Sequence, residues 1–396
     1  MRAGLDSRAM AHPNPTAFRL RRRQWLGMAL SAAGLLAASA SEARTPAPRA
    51  AAPALRLLAH GSLPTGTEFK GTLVGGLSGL AYDAQDDLWY ALSDDRSRHA
   101  PARCYVFRLP PLTTQPLLPQ WVDVITLLGA DGKPFARHAV DPEGLALRRD
   151  PATGSATLLW TSEGDIRAQI APALYESALD GRLLRTFTLP DALRELGRIG
   201  RGPRHNETLE GLALTPNGQH AWTAMEGALA QDRNGLTPGA PPGPCRLTRF
   251  DVASGRADRQ VAYLPEARPF GPLMPMGGVG ESGISEIIVR DNDHLWVLER
   301  AWTPATGVSA RLYEADLRHA SDTLAVDALT GRRYRPCAKR LLLDLRQCGL
   351  PHVDNFEAMA WGPRLPNGHR TLVMCTDDNF NPLQVTQFIA LEALPP

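Results

Sequence analysis

Cysteine is scarce in this sequence, with five among 396 residues. The five lie at positions 104, 245, 337, 348 and 375, an odd number too scattered for a disulfide framework. No C-x-x-C pair occurs, which excludes the common zinc and redox motifs. The nearest pair, Cys337 and Cys348, flanks a predicted strand whose ends would lie about 30 Å apart, beyond disulfide reach. We therefore do not expect a bridge there.

Net charge and nucleotide motifs are also lacking. A formal net charge of +2 gives no general attraction to nucleic acid or to acidic membranes. There is no P-loop, and no G-x-G-x-x-G follows a predicted strand. Around Ser78 the sequence reads "GLSGL", in which the second Gly comes one place too early for the nucleophile elbow G-x-S-x-G. Nucleic acid is therefore not an expected partner.

The first 53 residues do not read as part of a fold. Arg21–Arg23 precede an apolar stretch from Trp25 to about residue 40, which is too short for a comfortable membrane span. Two arginines followed by Gln-Trp-Leu are typical of a twin-arginine export signal. A general secretory signal and an uncleaved anchor are the alternatives. We expect a signal peptide over 1–43, a Pro/Ala linker over 44–53, and a periplasmic or secreted protein without a membrane anchor.

Short acid-plus-apolar segments recur along the rest of the chain, at intervals of 65, 67, 76 and 71 residues. Each is followed by a second short strand that ends in an acid, and then by a third strand. Four of the five units add a fourth apolar run, and the segment 54–64 has the right character to supply the fifth. The segments begin at Ser78, Glu143, Glu210, Glu286 and Glu357.

This repeat predicts an all-β fold, a β-propeller of four-stranded blades over residues 54–396. Five blades are counted, and the N-terminal strand would close the ring and remove its open edge. Six blades are the alternative count, because the long loops at 191–207, 227–244 and 264–283 could contain further strands. A pair of β-sandwich domains is the alternative, which the regular spacing disfavours. We expect a monomer.

Acids of the repeat should gather at one mouth of the central channel, because strand one starts and strand two ends on the same face of each blade. So many carboxylates repel one another unless some are protonated or a cation lies among them. Carboxylate-rich sites favour Ca²⁺ over transition metals. Alternatively, each Glu accepts hydrogen bonds from backbone amides of the next blade. The candidate calcium ligands are Asp94, Asp95, Glu143, Glu163, Glu210, Glu226, Glu286, Glu299, Glu357 and Asp377.

Three histidines occupy one position of the repeat: His138, His205 and His352 each lie five residues before a strand-one Glu. Histidine can exchange protons near neutral pH, so these three are candidate acid–base groups. Arg96 and Arg300 lie beside the strand-two acids and are candidate partners for an anionic substrate. The alternative for each His is a structural hydrogen bond to the neighbouring blade.

Several segments together resemble the phytase-like family, "esterase-like activity of phytase", of exported bacterial proteins. They are "LSGLAYDAQDDLWYALSDDR", "DPEGLAL", "WTSEGD", "NETLEGLALTPNGQHAWTAMEG", "LWVLERAW" and "NFEAMAW", and the resemblance covers residues 55–393. It implies a propeller loosely related to calcium-dependent phytases, and hydrolysis of a small-molecule phosphate or carboxylic ester. A calcium-dependent lactonase and a non-catalytic binding or scaffold propeller are the alternatives.

Overall fold

The computed structural model describes residues 54–150, 152–234, 242–267, 281–303 and 306–395. The expected signal peptide (1–43) and linker (44–53) lie outside these ranges. No helix within them is both long enough and apolar enough to cross a membrane.

Twenty-two strands account for nearly all the regular structure in these ranges. The first three are β1 (Leu55–Ser62) and a short hairpin of β2 (Glu68–Phe69) and β3 (Thr72–Leu73). Blade 1 contains β4 (Leu77–Asp83), β5 (Leu88–Ser93), β6 (Arg103–Arg108) and β7 (Gln120–Thr126). Blade 2 contains β8 (Pro142–Arg149), β9 (Ala156–Ser162), β10 (Ala173–Ala178) and β11 (Leu183–Thr186).

The remaining blades repeat the pattern. Blade 3 contains β12 (Leu209–Leu214), β13 (His220–Met225), β14 (Cys245–Asp251) and β15 (Arg256–Tyr263). Blade 4 contains β16 (Glu281–Val289), β17 (His294–Thr303), β18 (Gly307–Asp316) and β19 (Ala338–Asp344). Blade 5 contains β20 (Phe356–Gly362), β21 (Thr371–Thr376) and β22 (Gln387–Ala393). Three short helices lie in connections: α1 (Asp191–Arg194) and the 3-10 turns Ala230–Asp232 and Leu345–Gln347.

Strand β1 completes blade 5. It pairs antiparallel with β22 from Leu55 opposite Ala393 to Ser62 opposite Gln387, so the sheet order is β1-β22-β21-β20. The predicted five-bladed propeller closed by the N-terminal strand is confirmed. The alternative of two β-sandwich domains is wrong.

The core consists of five apolar clusters, each lying between two neighbouring blades. Trp89 and Phe107 of blade 1, for example, pack against Phe388 of blade 5. An inner strand is covered on both faces by neighbouring blades, which is why β4 and β12 are almost continuously buried. Outer strands such as β11 alternate between half-buried and exposed residues instead. All five cysteines are free thiols, including Cys337 and Cys348.

Inner strands of adjacent blades approach each other backbone to backbone. A Cβ added to Gly144 of β8 would overlap the carbonyl oxygen of Glu210 and lie 2.8 Å from Leu212 Cβ of β12. Gly79 has the same relation to Glu143 of the next blade. Glycine is needed here because the neighbouring backbone occupies the space of a side chain.

Gly144→Ala is expected to lower the free energy of unfolding by roughly 1–3 kcal/mol, because overpacking against backbone is relieved only by moving a strand. Gly129→Ala is the control: its added Cβ would meet its nearest neighbour at an ordinary 3.4 Å. That control should stay within about 0.5 kcal/mol of the wild type. Urea unfolding measures both, and equal losses in the two variants would contradict the close approach.

Candidate active site at the channel mouth

Strand pairing identifies the equivalent positions of the five blades. In each blade the residue before strand one's bulge pairs with a residue of strand two, as in Leu77–Ser93 of blade 1 and Ile284–Glu299 of blade 4. One step further along each strand gives two rings of side chains at the same mouth of the channel. The strand-one ring is Ser78, Glu143, Glu210, Ser285 and Glu357, and the strand-two ring is Asp94, Glu163, Glu226, Arg300 and Asp377.

Blade 4 differs from the predicted alignment by one residue on each strand. Ser285 and Arg300 hold the ring positions, whereas Glu286 and Glu299 lie one step later and one step earlier. Glu286 is buried beside blade 3, where its Oε1 accepts from the Leu212 amide at 2.8 Å. Glu299 accepts from the Tyr263 hydroxyl at 2.6 Å and pairs with Lys339. Neither lines the cavity at the mouth, and both match the alternative of a structural carboxylate.

A cavity of about 1200 Å³ opens at this mouth and brings together most of the predicted site. Around it lie Trp302, Val308 and Leu383, together with Arg167 and Arg233. The predicted residues that line it are Asp94, Glu143, Glu163, Glu210, Glu226, Glu357, Asp377, Arg96, Arg300, His205 and His352.

Two overlapping groups of carboxylates lie close enough to share a cation. Asp141, Glu143 and Glu163 form the first, and Glu163, Glu210 and Glu226 form the second. Within each group, one oxygen from every residue lies within 4.8 Å of the others. Glu163 belongs to both groups, and its Oε1 also accepts a hydrogen bond from the Thr208 amide of blade 3 at 2.5 Å. Glu163 therefore contacts the next blade and is also placed where its carboxylate could share a cation with its neighbours.

These carboxyl groups are difficult to ionise together. Burial raises the pKa of Glu143 and Glu210 well above the usual range, and each is raised further by neighbouring carboxylates, Glu210 and Glu163 respectively. Burial also raises the pKa of Asp141 to about 7 and that of Glu226 to about 7, although Arg96 and Arg300 partly oppose the rise. The pKa values of Asp94, Glu163 and Asp377 are raised for the same reason.

Without a bound cation, the protein is expected to lose stability as the pH rises. Unfolded carboxyl groups release their protons near pH 4, whereas the native Asp141 and Glu226 keep theirs until about pH 7. The unfolded state therefore binds fewer protons over this interval, so the free energy of unfolding falls from pH 4 to pH 7, on the order of 2–4 kcal/mol per group. Urea unfolding in chelator at several pH values measures the slope, and a rise in stability over this interval would contradict it.

Two arginines supply the positive charge among the acids. Arg96 forms an ion pair with Asp141 at 2.5 Å and donates to Asn206 Oδ1 at 2.7 Å. Arg300 donates to Asn355 Oδ1 at 3.0 Å and pairs with Glu226 and Glu357. Burial works against the charge of Arg300, but the neighbouring carboxylates outweigh it and keep the pKa of the guanidinium above its usual value. Both side chains face the cavity as cations.

The other predicted residues are spread between the cavity and its surroundings. Buried Asp95 lies outside the cavity, accepting from Arg103 at 2.7 Å and from the backbone amides that follow it. His138 is exposed and also outside the lining, with a positive φ of 63°. His205 lines the cavity 3.5 Å from Asp165, and burial lowers its pKa. His352 lines it with 66% of its side chain exposed, 3.6 Å from Asp354.

Sequence reasoning missed two polar residues that complete the site, Asp141 and Asn355. Each lies two positions before a ring Glu, in the connection that enters the blade. Asn355 donates to Glu357 Oε1 at 3.0 Å and to Asp377 Oδ2 at 3.2 Å, so it links both rings within blade 5. The recurrence of a polar residue two places before Glu143, Glu210 and Glu357 could have indicated this position.

A protein-family model described as phytase-like, "esterase-like activity of phytase", matches residues 72–380. The chain belongs to the phytase-like family. Among curated proteins, none matches this phytase-like chain.

Solved structures match the phytase-like chain at low identity. An exo-β-1,3-galactanase from Clostridium thermocellum is 10% identical with a TM-score of 0.45, over 86% of this chain and 62% of that one. An exo-β-1,3-galactanase from Phanerochaete chrysosporium is 12% identical with a TM-score of 0.43, over 83% and 63%. A periplasmic gluconolactonase from Pseudomonas aeruginosa is 14% identical with a TM-score of 0.33, over 82% and 87%. The chain spans less than two thirds of either galactanase, and likenesses this distant carry no conclusion about activity.

Proposed function

We propose that the cavity at the channel mouth binds Ca²⁺ and hydrolyses a phosphate or carboxylic ester of a small molecule. The observation that carries the proposal is the pair of three-carboxylate groups sharing Glu163. Membership of the phytase-like family supports ester hydrolysis as the reaction class.

The donor set suits a hard cation. Calcium takes carboxylate oxygens at about 2.3–2.6 Å, so oxygens on opposite sides of one ion lie up to about 5 Å apart. The 4.8 Å spread within each group fits this geometry. Asp94 Oδ1 is inaccessible to solvent and accepts no hydrogen bond within the described residues. A bound cation would give this oxygen a partner. When bound, a calcium ion polarises the ester and lowers the pKa of water.

The protein's own side chains supply anion binding. Arg96 and Arg300 carry guanidinium groups with five N–H donors each, and both face the cavity beside the carboxylate groups. A phosphate or carboxylate oxygen of the substrate would accept from them in paired hydrogen bonds. Their positions on blades 1 and 4 place positive charge on two sides of the cavity, which would orient an anionic substrate relative to the acids.

Proton transfer falls to His205 in this proposal. Burial lowers its pKa, so the ring is neutral at pH 7 and free to accept a proton. Asp165 lies 3.5 Å from Nδ1 and would orient the ring. His352 is a second candidate, since it also lines the cavity. His138 is less suited to this role, because it lies outside the lining residues.

Export and a monomeric state complete the proposal. The sequence of residues 1–43 supports a periplasmic or secreted location. The closed ring supports a monomer, because β1 supplies the fourth strand of blade 5 and no strand from another chain is needed to complete it.

The test is an esterase panel with purified protein: aryl phosphomonoesters, aryl phosphodiesters, aryl acetates and lactones, each in chelator and in excess Ca²⁺. We expect calcium-dependent turnover of at least one phosphate or carboxylic ester. Turnover of lactones alone would favour the lactonase alternative. If no substrate turns over and chelator leaves the melting temperature unchanged, the site is not catalytic and the scaffold alternative is favoured.

A further inference from the structure

A second cavity, of about 400 Å³, lies between blades 4 and 5 at the propeller face opposite the acidic cavity. Its lining comes from the ends of β16, β20 and β22, whereas the acidic cavity lies at the starts of β16 and β20. Three arginines contribute to it: Arg290, Arg364 and Arg370. This cavity therefore has three arginines in its lining, whereas carboxylates outnumber arginines in the lining of the acidic cavity.

Arg370 is half-buried and lies flat against an aromatic ring. Its guanidinium carbon is 3.6 Å from the centroid of Trp361, whose indole N–H donates to Val289 O at 2.8 Å. Trp296 packs against Trp361 at a centroid distance of 4.8 Å. The orientation of the guanidinium is thus fixed by packing, so binding through it would cost little side-chain entropy.

Arg370 has no acidic partner in the part of the chain that the structure describes. Within the described residues its one hydrogen bond is a long one, 3.4 Å from Nη1 to Arg290 O, and it forms no ion pair. Burial, together with Arg364 and Arg290, lowers its pKa to about 10. Arg364 is exposed, donates to Gly368 O at 2.8 Å, and also has no ion pair among the described residues. Most N–H donors of these two side chains are therefore available.

The acids around this cavity are already paired. Asp291 interacts with His294 at 2.8 Å and with Arg290 at 3.7 Å. Glu314 accepts from Arg290 at 2.9 Å and from Arg340 at 2.9 Å. Nearby Glu392 is buried and is held by Arg56 and His369. None of the three neutralises Arg364 or Arg370.

We propose that Arg364 and Arg370 form a binding site for an oxyanion, the phosphate or carboxylate group of a small-molecule ligand. Guanidinium groups bind both anions through paired N–H···O bonds, and the packing of Arg370 on Trp361 sets the plane of that recognition. The site does not depend on the activity of the acidic cavity, because the two cavities lie on opposite faces of the propeller.

The experiment is calorimetric titration of the full chain with inorganic phosphate, and separately with acetate, in chelator. Saturable binding of at least one anion is expected, and the stronger of the two identifies the preferred group. Arg364→Gln and Arg370→Gln should each weaken it about tenfold, or 1.4 kcal/mol. Since Arg364 is exposed, its replacement preserves the fold even if Arg370→Gln does not.

Arg300→Gln locates the binding. It removes a guanidinium of the acidic cavity, so the binding that Arg364→Gln weakens should be unaltered in that variant, while any separate anion binding at the acidic cavity is lost. The proposal is overturned if the wild type binds neither anion saturably, if Arg364→Gln leaves affinity unchanged, or if Arg300→Gln removes the binding.

Discussion

Glu163→Gln is expected to weaken calcium binding by at least about a hundredfold, because even the loss of an outer partner of a metal ligand costs 10–100-fold. Glu163 belongs to both three-carboxylate groups, so no other single substitution reduces both. Glutamine keeps the shape and can still accept from the Thr208 amide, so the blade contact survives. Calorimetry gives the affinity, and calcium-dependent hydrolysis should fall at least as far.

The same substitution should stabilise the protein in chelator at pH 7, because it removes one of the mutually repelling carboxylates. Burial and Asp141 raise the pKa of Glu163, so ionising it costs free energy in the native state. Opposite effects with and without calcium distinguish a ligand from a purely structural residue. Loss of stability in both conditions would contradict the ligand role.

Glu286→Gln is the matched control for Glu163→Gln. Glu286 is also a buried Glu at the inner strands, and burial raises its pKa well above the usual range. Glutamine therefore resembles the protonated form of Glu286, which burial favours. Since Glu286 lies outside the cavity, calcium affinity and hydrolysis should match the wild type. A change in either quantity would indicate that Glu286, and not Ser285, faces the channel.

Arg300→Gln is expected to change calcium affinity and hydrolysis in opposite directions. Removing a cation next to Glu226 and Glu357 reduces repulsion of Ca²⁺, so affinity should rise about tenfold, while kcat/KM for an anionic ester falls roughly a hundredfold. Calorimetry and steady-state kinetics on one preparation measure both quantities. A parallel fall in both would point to general unfolding of the site instead.

Arg311→Gln is the matched control for Arg300→Gln. Arg311 lies on β18 of the same blade and pairs with Asp344 at 2.9 Å, with 44% of its side chain exposed. An exposed ion pair contributes within about 1 kcal/mol, and this one is remote from the cavity lining. Both calcium affinity and kcat/KM should therefore remain those of the wild type.

The sequence predicts the architecture well because a propeller repeats itself. Similar strand starts at near-constant spacing imply equivalent blades. One blade then lacks a fourth strand, which the apolar segment at 54–64 can supply, and β1 does supply it. Three of the four strand-one Glu residues also fall at the predicted ring positions: Glu143, Glu210 and Glu357.

Blade 4 is where sequence reasoning fails, for a local physical reason. An acid stands one place from the ring position on both strands: Glu286 after Ser285, and Glu299 before Arg300. Side-chain direction alternates along a strand, so one step turns a residue from the channel toward a neighbouring blade. Which residue faces the channel depends on the pairing register and on the bulge between Ile284 and Glu286. Neither can be predicted from composition or spacing.

The pairing of β1 with β22 also has a consequence for biosynthesis. Leu55 and its partner Ala393 lie at opposite ends of the described chain, so translation separates them by roughly 20–70 s at 5–20 residues per second. Until β22 leaves the ribosome, β1 has no partner. Ring closure therefore waits for the synthesis of β22. Proteolytic loss of β1 at any time afterwards would return the molecule to this open, aggregation-prone form.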